Sequence, residues 1–211
     1  MNWIICGILG LLITQKQNVF RNEDNYRLSD YRRVLKMLTT EQKDYYRQQA
    51  LQYYDKARIV LTPEEKNNVE FADFGLGEFD QTGLILITYV NTARVCSKEM
   101  VLLPGQTCPE HRHPAIGNEP GKEETFRCRY GAVYLYVTGA ATAKPLGRAP
   151  AGREKNYTAW HEIILKPGQQ YTIQPDTLHW FQAGPEGAVI SEFSTRSRDE
   201  SDVFTDAGII R

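Results

Sequence analysis

The stretch that decides the fold runs from Gly105 to Gly131 and reads GQTCPEHRHPAIGNEPGKEETFRCRYG. Within it, His111 and His113 are separated by one residue, so on an extended strand both imidazoles point to the same side. Glu124 follows, and a carboxylate arriving from the next strand can add a third ligand to two imidazoles. A fourth candidate, His179, lies in the later run PDTLHW. The pattern predicts a metal site.

The predicted ligand set also restricts which metals fit. Neutral imidazoles and a carboxylate suit Mn, Fe, Co, Ni or Zn, and three histidines with one glutamate leave coordination positions open for substrate oxygens. The thiolates of a structural zinc site are absent from the pattern. Adjacent Glu123 and Glu124 point to opposite sides of a strand, and we select Glu124 because six residues separate it from Gly131. The predicted ligands are therefore His111, His113, Glu124 and His179.

Composition excludes several classes of protein. The chain has 211 residues, 41% hydrophobic and 24% charged, which suits one globular domain with a full core. A net charge of −1 and the absence of a basic cluster exclude nucleic acid as a partner. Four cysteines without C-x-x-C spacing favour a reduced, cytoplasmic protein. Abundant aromatic residues, punctuated by glycine and proline, favour an all-β body.

The N-terminal part of the chain differs from the rest. Residues 3–13 are nearly all apolar, but the run is shorter than a membrane span of about 20 residues. It has three interpretations: a weak signal or anchor, a docking helix, or a mispredicted start with the functional chain beginning near Met37, which we favour. Apolar residues at helical period predict helix within 30–57, with a cap at Thr39 or Thr40, as either two helices or one broken helix. We divide the chain into an extension, 1–38, and a barrel domain with a leading helix, 39–211.

From Val69 onward the pattern changes to short extended runs. Strands are predicted at 84–89, 99–103, 132–138, 162–166, 170–174 and 188–193. Pro-Gly and Gly-Pro pairs separate several of them, and residues 139–158 read as a long surface loop. Short strands without intervening helices predict a sandwich or a small barrel.

Two segments resemble the paired motifs of the cupins. Residues 105–131 resemble the first motif, Gly-x5-His-x-His-x(3,4)-Glu-x6-Gly, with a longer insertion before the glutamate. Residues 167–179 resemble the second, with Thr177 in place of the usual glycine. Over about residues 40–211 the chain further resembles the D-lyxose isomerase family, through the runs ADFGLG (72–77), PGQTCPEHRH (104–113), GKEETFRCR (121–129), LHWFQAG (178–184) and SEFS (191–194). The resemblance implies an all-β cupin barrel, a double-sheet jelly roll, preceded by a helical segment.

The same resemblance implies an activity. It is a metal-dependent aldose–ketose isomerisation of D-lyxose and D-xylulose, with D-mannose and D-fructose as a further pair, through an enediol. It implies Mn²⁺ as the cofactor and a small sugar as the partner. Ligand chemistry leaves Co²⁺, Fe²⁺ and Zn²⁺ as alternatives. We further expect no membrane association and a homodimer. Two other functions use similar ligands: an Fe(II)-dependent cupin dioxygenase and a non-catalytic sugar-binding cupin.

Residues beyond the ligands are predicted to act on the sugar. Glu192 is the predicted proton shuttle, because a carboxylate in the apolar run 188–193 is costly unless it is used or paired. An exposed glutamate on the outer face is the alternative. By resemblance, Lys98 faces the pocket and assists catalysis at a substrate oxygen, although composition alone favours a solvated lysine. Gln106 and Asp202 are predicted to bind substrate hydroxyls, and Asp199 is a further candidate. The alternative for the run 196–202, which contains both aspartates, is a charged surface turn.

Overall fold

The computed structural model describes residues 37–210, which begin with two helices. Helix α1 spans Thr40–Lys56 and helix α2 spans Pro63–Asn67. Thr39 caps α1, since its hydroxyl accepts from the Gln42 amide while the Gln42 side chain accepts from the Thr39 amide. The predicted helix therefore starts at Thr40. The part of that prediction before residue 37, and most of the predicted extension, lie outside the described residues.

Nine strands and the segments that connect them follow the helices, and every pairing between the strands is antiparallel. They are β1 (Glu70–Ala72), β2 (Leu84–Asn91), β3 (Cys96–Leu102), β4 (Thr107–Arg112), β5 (Glu124–Val137), β6 (His161–Leu165), β7 (Gln170–Ile173), β8 (His179–Ser194) and β9 (Val203–Phe204). All six predicted strands overlap these elements, and the all-β prediction is confirmed. Neither helix within residues 37–210 has the length and apolar character needed to cross a membrane.

Two long strands, β5 and β8, connect two sheets. The first half of β5 pairs with the second half of β8, and together they continue into β7 on one side and β3, β2 and β1 on the other. The second half of β5 pairs with the first half of β8, with β6 on one side and β4 and β9 on the other. Because both strands belong to both sheets, the sheets must curl toward each other.

Glycines allow the two long strands to change sheet. Pairing of β5 with β8 shifts register between Cys128 and Val133, in the middle of β5. Gly131 has φ +70°, and a Cβ placed there would lie 1.9 Å from the carbonyl oxygen of Gly187. Only glycine tolerates both the left-handed backbone and this close approach. The bend in β5 therefore depends on the absence of a side chain at position 131.

Apolar side chains fill both faces of the first sheet. The inner cluster includes Leu102, Leu135 and Ile190, whereas α1 packs Ala50 and Tyr54 on the outer face. Burying apolar surface contributes roughly 25 cal/mol per Å² to the free energy of folding, so these two clusters are the main source of stability. The inner face also carries polar side chains from β3, β4, β5 and β8, and these form the site described below.

The predicted loop between β5 and β6 is present, and a buried carboxylate holds it down. Glu110, on β4, accepts hydrogen bonds from the backbone amides of Thr158 and Ala159 at 2.6 and 2.7 Å. It also accepts the hydroxyls of Thr158 and Thr205 at 3.0 and 2.8 Å. Glu110 thus connects the loop and the C-terminal segment to β4, the strand that carries His111.

Candidate metal centre

Strand register brings His111 and His179 together. The two residues lie directly opposite each other where β4 pairs with β8, and their ring centroids are 4.3 Å apart. His113 follows one residue after β4 ends, and a Cβ at Gly121 would lie 1.9 Å from the His113 carbonyl oxygen. Potential ligand atoms of the three histidines all lie within 4.8 Å of one another, and all three side chains are buried. The geometry is that of a site able to hold a divalent metal.

Glu124 completes the predicted ligand set in space. It is the first residue of β5, and its Oε1 lies 3.2 Å from His113 Nε2 and 2.9 Å from His179 Nε2. Its neighbour Glu123 is exposed, as the alternation of side chains along a strand predicts. Four residues that are up to 68 positions apart in the chain therefore meet in one buried cluster.

The second nitrogen of each imidazole is held by an oxygen. Nδ1 of His111 lies 2.7 Å from the Pro109 carbonyl, and Nδ1 of His179 lies 2.8 Å from the Thr177 carbonyl. A carbonyl can only accept, so Nδ1 carries the proton and Nε2 keeps a lone pair for a ligand. Nδ1 of His113 lies 2.5 Å from Oδ1 of Asp202, so this ring also carries a proton on Nδ1 and turns Nε2 toward the cluster.

One buried atom tests whether a metal fits. Nε2 of His179 is buried and lies 2.9 Å from Oε1 of Glu124, but with the proton on Nδ1 both atoms are acceptors, so Nε2 has no hydrogen-bond partner within the described chain. A buried nitrogen without a partner is costly, whereas a lone pair aimed at a cation is satisfied. Together with two further imidazoles and a carboxylate, it makes the donor set fit a divalent metal, which His111, His113, Glu124 and His179 would hold.

Burial and neighbouring charges set the protonation of the cluster. Burial, followed by the repulsion of the two neighbouring imidazoles, lowers the pKa of His111 well below its usual value. Burial also acts to lower the pKa of His113, but Glu124 and Asp202 outweigh it and raise that pKa to about 9. Burial alone would raise the pKa of Glu124, yet Lys122 and His113 hold it well below the usual range. The cluster therefore favours an ionised carboxylate beside a neutral His111.

Lys122 lies within the same cluster, although the sequence interpretation did not select it. Its side chain is buried, and Nζ lies 2.6 Å from Oε2 of Glu124 and 2.7 Å from Oε1 of Glu192. One ammonium thus joins the candidate ligand to the predicted proton shuttle. A signal was available, because Lys122 precedes Glu124 by two positions, the same spacing that places His111 and His113 on one side.

The structure brings Glu192 and Lys98 to the same inner face. They lie opposite each other where β3 pairs with β8, and the Glu192 residue is only 3% exposed. This location rules out the alternative of a glutamate on the outer face. Lys98 is buried as well, with Nζ 2.9 Å from Ser197 Oγ and 3.2 Å from Oδ1 of Asp199. The solvated lysine expected from composition alone is therefore wrong.

The two predicted substrate-binding residues differ in location. Asp202 reaches the cluster, where it orients His113. Gln106 does not: its amide nitrogen donates to the Phe79 carbonyl at 2.6 Å, and its amide oxygen accepts from the Leu103 amide at 2.9 Å. Both ends of that side chain are bonded to main chain, which gives Gln106 a structural role in the turn before β4. A contact between Gln106 and a sugar hydroxyl has no support from this geometry.

Comparison with known proteins identifies the family. A model of the D-lyxose isomerase family matches residues 43–211. The chain is 66% identical over 156 residues to the D-lyxose/D-mannose isomerase of Thermosediminibacter oceani, covering 74% of this chain and 86% of that protein. It is 56% identical over 165 residues to the D-lyxose ketol-isomerase of Cohnella laeviribosi, covering 78% of this chain and 91% of that protein.

A solved structure confirms the fold at lower identity. The L-ribose isomerase of Acinetobacter sp. DL28, crystallised with L-ribose, superposes with a TM-score of 0.68 at 18% identity, covering 82% of this chain and 94% of that one. This likeness concerns the arrangement of strands, and it confirms the predicted cupin barrel. Sequence identity over most of the barrel and the match to the family model lead to one conclusion: the chain belongs to the D-lyxose isomerase family.

Proposed function

We propose that the protein interconverts D-lyxose and D-xylulose, with D-mannose and D-fructose as a second aldose–ketose pair. The relatives that are named for these sugars support the reaction class. The structural observation that carries the proposal is the buried Glu192 carboxylate, which Lys122 holds beside the three histidines and Glu124. Isomerisation needs such a group, because a proton must move between adjacent carbon atoms.

Each residue has a defined part in this reaction. A divalent metal held by the four ligands would supply a Lewis acid for the sugar's carbonyl and neighbouring hydroxyl oxygens. Glu192 takes the proton from C2 of the aldose to give the enediol and returns it to C1, while a hydroxyl proton moves from O2 to O1. Lys122 positions Glu192, and Lys98 offers a donor to a sugar oxygen from the adjacent strand. Carbon, hydrogen and oxygen atoms balance without a co-reactant.

Burial supports the proton-transfer role of Glu192. Its Oε1 accepts from the Ser194 hydroxyl at 3.0 Å and lies 2.7 Å from the Lys122 ammonium, so the carboxylate is held in one orientation. A fixed base close to the reacting carbon loses little freedom when the reaction begins. We therefore assign the proton transfer to Glu192 and a supporting role to Lys98.

We further propose Mn²⁺ as the metal, a homodimer as the assembly and the cytoplasm as the compartment. The nitrogen and oxygen ligand set supports Mn²⁺ and equally admits Co²⁺, Fe²⁺ or Zn²⁺. Exposed apolar side chains near one end of β3 and β8, Val95 and Phe193, would be covered in a dimer. Cys96 and Cys128 are buried free thiols, which suits a reducing compartment.

A panel of aldoses separates this function from its competitors. The metal-stripped protein is loaded with Mn²⁺, Fe²⁺ or Zn²⁺ and supplied with D-lyxose or D-mannose, while ketose formation and oxygen uptake are followed together. We expect ketose formation that depends on the metal and consumes no oxygen. Oxygen uptake with Fe²⁺ would identify a dioxygenase, and sugar binding without turnover would identify a binding protein. Either result would overturn the proposed isomerase.

A further inference from the structure

Two neighbouring cavities, which share lining residues, adjoin the candidate metal centre. The inner one, about 30 Å³, is bounded by His111, His113, Glu124, Lys98 and Glu192. Its volume is roughly that of one water molecule in the liquid. The outer one measures about 270 Å³ and shares His113, Lys122 and Asp202 with the inner one. A sugar whose carbonyl end meets the metal ligands must therefore extend its other end into the outer cavity.

Positive charge dominates the wall of the outer cavity. The charged residues that line it are Arg94, Glu119, Lys122, Arg196, Arg198 and Asp202. Most of these charges are matched: Lys122 pairs with Glu124 and Glu192, Arg198 pairs with Glu119, and Asp202 lies against His113. Arg94 and Arg196 are exposed, and no carboxylate among residues 37–210 lies within ion-pair distance of either. The outer cavity thus has two cations without a counter-charge.

A pair of hydrogen bonds keeps the two arginines on adjacent segments. Arg94 lies in the turn between β2 and β3, and Arg196 follows the end of β8. The Asn91 amide nitrogen donates to the Ser197 carbonyl at 3.0 Å, and its amide oxygen accepts from the Ser197 amide at 3.1 Å. Like charges on adjacent segments repel, and a bound anion removes that repulsion. The planar guanidinium group suits the oxygens of a phosphate.

We propose that the outer cavity binds the phosphate of a monosaccharide phosphorylated on its terminal carbon, with the sugar's carbonyl end at the metal centre. Arg94 and Arg196 contact the phosphate, and the apolar residues Pro114, Ile116 and Pro120 line the path of the carbon chain. The inference rests on the proposed isomerase function and specifies a class of ligand for the same site. The phosphate takes no part in bond making or breaking.

The test compares D-mannose with D-mannose 6-phosphate on the metal-loaded full chain. Inhibition of D-lyxose isomerisation is measured with each sugar, and with inorganic phosphate, at a fixed concentration of free Mn²⁺. We expect D-mannose 6-phosphate to inhibit competitively, at a concentration at least about tenfold lower than D-mannose. Added salt should weaken this inhibition, since exposed charges are screened.

Two double variants isolate the role of the arginines. Arg94→Gln with Arg196→Gln should raise the inhibition constant of D-mannose 6-phosphate by about tenfold relative to that of D-mannose. Arg58→Gln with Arg148→Gln is the matched control. Both arginines are exposed and lie outside this cavity, and the two substitutions remove the same charge. The control should leave that ratio unchanged, and circular dichroism verifies that both variants fold.

Three results would overturn the proposal. They are equal inhibition by the two sugars, an unchanged ratio in the Arg94 and Arg196 variant, and equal inhibition by inorganic phosphate and the sugar phosphate. Absence of D-lyxose turnover would instead overturn the isomerase function. In that case calorimetric titration of the metal-loaded protein with D-mannose 6-phosphate still decides whether the outer cavity binds the anion.

Discussion

Replacing Glu192 by glutamine removes a proton carrier and preserves the shape of the side chain. In the native chain Oε1 accepts from the Ser194 hydroxyl at 3.0 Å and lies 2.7 Å from Lys122 Nζ. The amide oxygen of glutamine can accept from both groups. Lys122 also keeps its contact with Glu124 at 2.6 Å, so no ammonium is left buried without a partner. We therefore expect Glu192→Gln to fold and to bind metal.

The structure indicates that Glu192→Gln should affect turnover more than folding stability. Weakening one charged hydrogen bond, where an uncharged acceptor remains, costs roughly 1–2 kcal/mol of folding free energy. Losing a positioned acid–base group lowers turnover by about 10²–10⁴, which corresponds to roughly 3–5 kcal/mol in the activation barrier. Turnover should therefore fall far more than stability, and KM should change little.

The assay measures ketose formation after the metal content of each preparation has been determined. Glu123→Gln is the matched control, because Glu123 is exposed and carries the same carboxylate one position before Glu124. Wild-type turnover in D₂O should place solvent deuterium in the product, as an enediol route requires and a hydride shift does not. Near wild-type turnover by metal-loaded Glu192→Gln would refute the reasoning and direct attention to Lys98.

Three further outcomes test other parts of the structure. His111→Ala or His179→Ala should greatly reduce bound divalent metal and abolish isomerisation, and stoichiometric metal in either purified variant would show that the ligands are wrongly assigned. A chain shortened to start at Met37 should fold and isomerise D-lyxose, because the family match begins at residue 43; circular dichroism and turnover measure both, and loss of folding would contradict this. Burial raises the pKa of Glu99, whose Oε2 has no hydrogen-bond partner in the described chain. Because this folded-state pKa is raised, the fold loses stability as pH rises above the ordinary glutamate pKa of about 4.3, so chemical denaturation should show Glu99→Gln gaining stability relative to wild type with rising pH. A stability difference between Glu99→Gln and wild type that stays constant with pH would show that the pKa of Glu99 does not change on unfolding.

Local sequence was sufficient to predict the strands that apolar residues and flanking turns mark. The runs at 84–89 and 170–174 correspond to β2 and β7, because their apolar residues and flanking turns mark extended structure locally. The list of predicted strands omits β4 and the first halves of β5 and β8, which carry His111, Glu124 and His179. Polar residues on a strand's inner face do not give the hydrophobic alternation on which such predictions depend.

Residue spacing and family resemblance were sufficient to select the candidate ligands. Two histidines one residue apart share one side of any extended strand, so His111 and His113 could be assigned from sequence alone. Glu124 was distinguished from Glu123 by the same alternation together with its distance from Gly131. Glu192 followed from the cost of a carboxylate in an apolar run.

Only the tertiary structure decided the contacts between these groups. Lys122 between Glu124 and Glu192, and Asp202 against His113, depend on side chains that meet when β5 and β8 curl into both sheets. It also removed Gln106 from the site, because turn geometry bonds both ends of its amide to main chain. The alternation of side chains along a strand is a local property, so the sequence alone reveals it. The partner of a buried charge is set by closure of the barrel, which brings distant residues together.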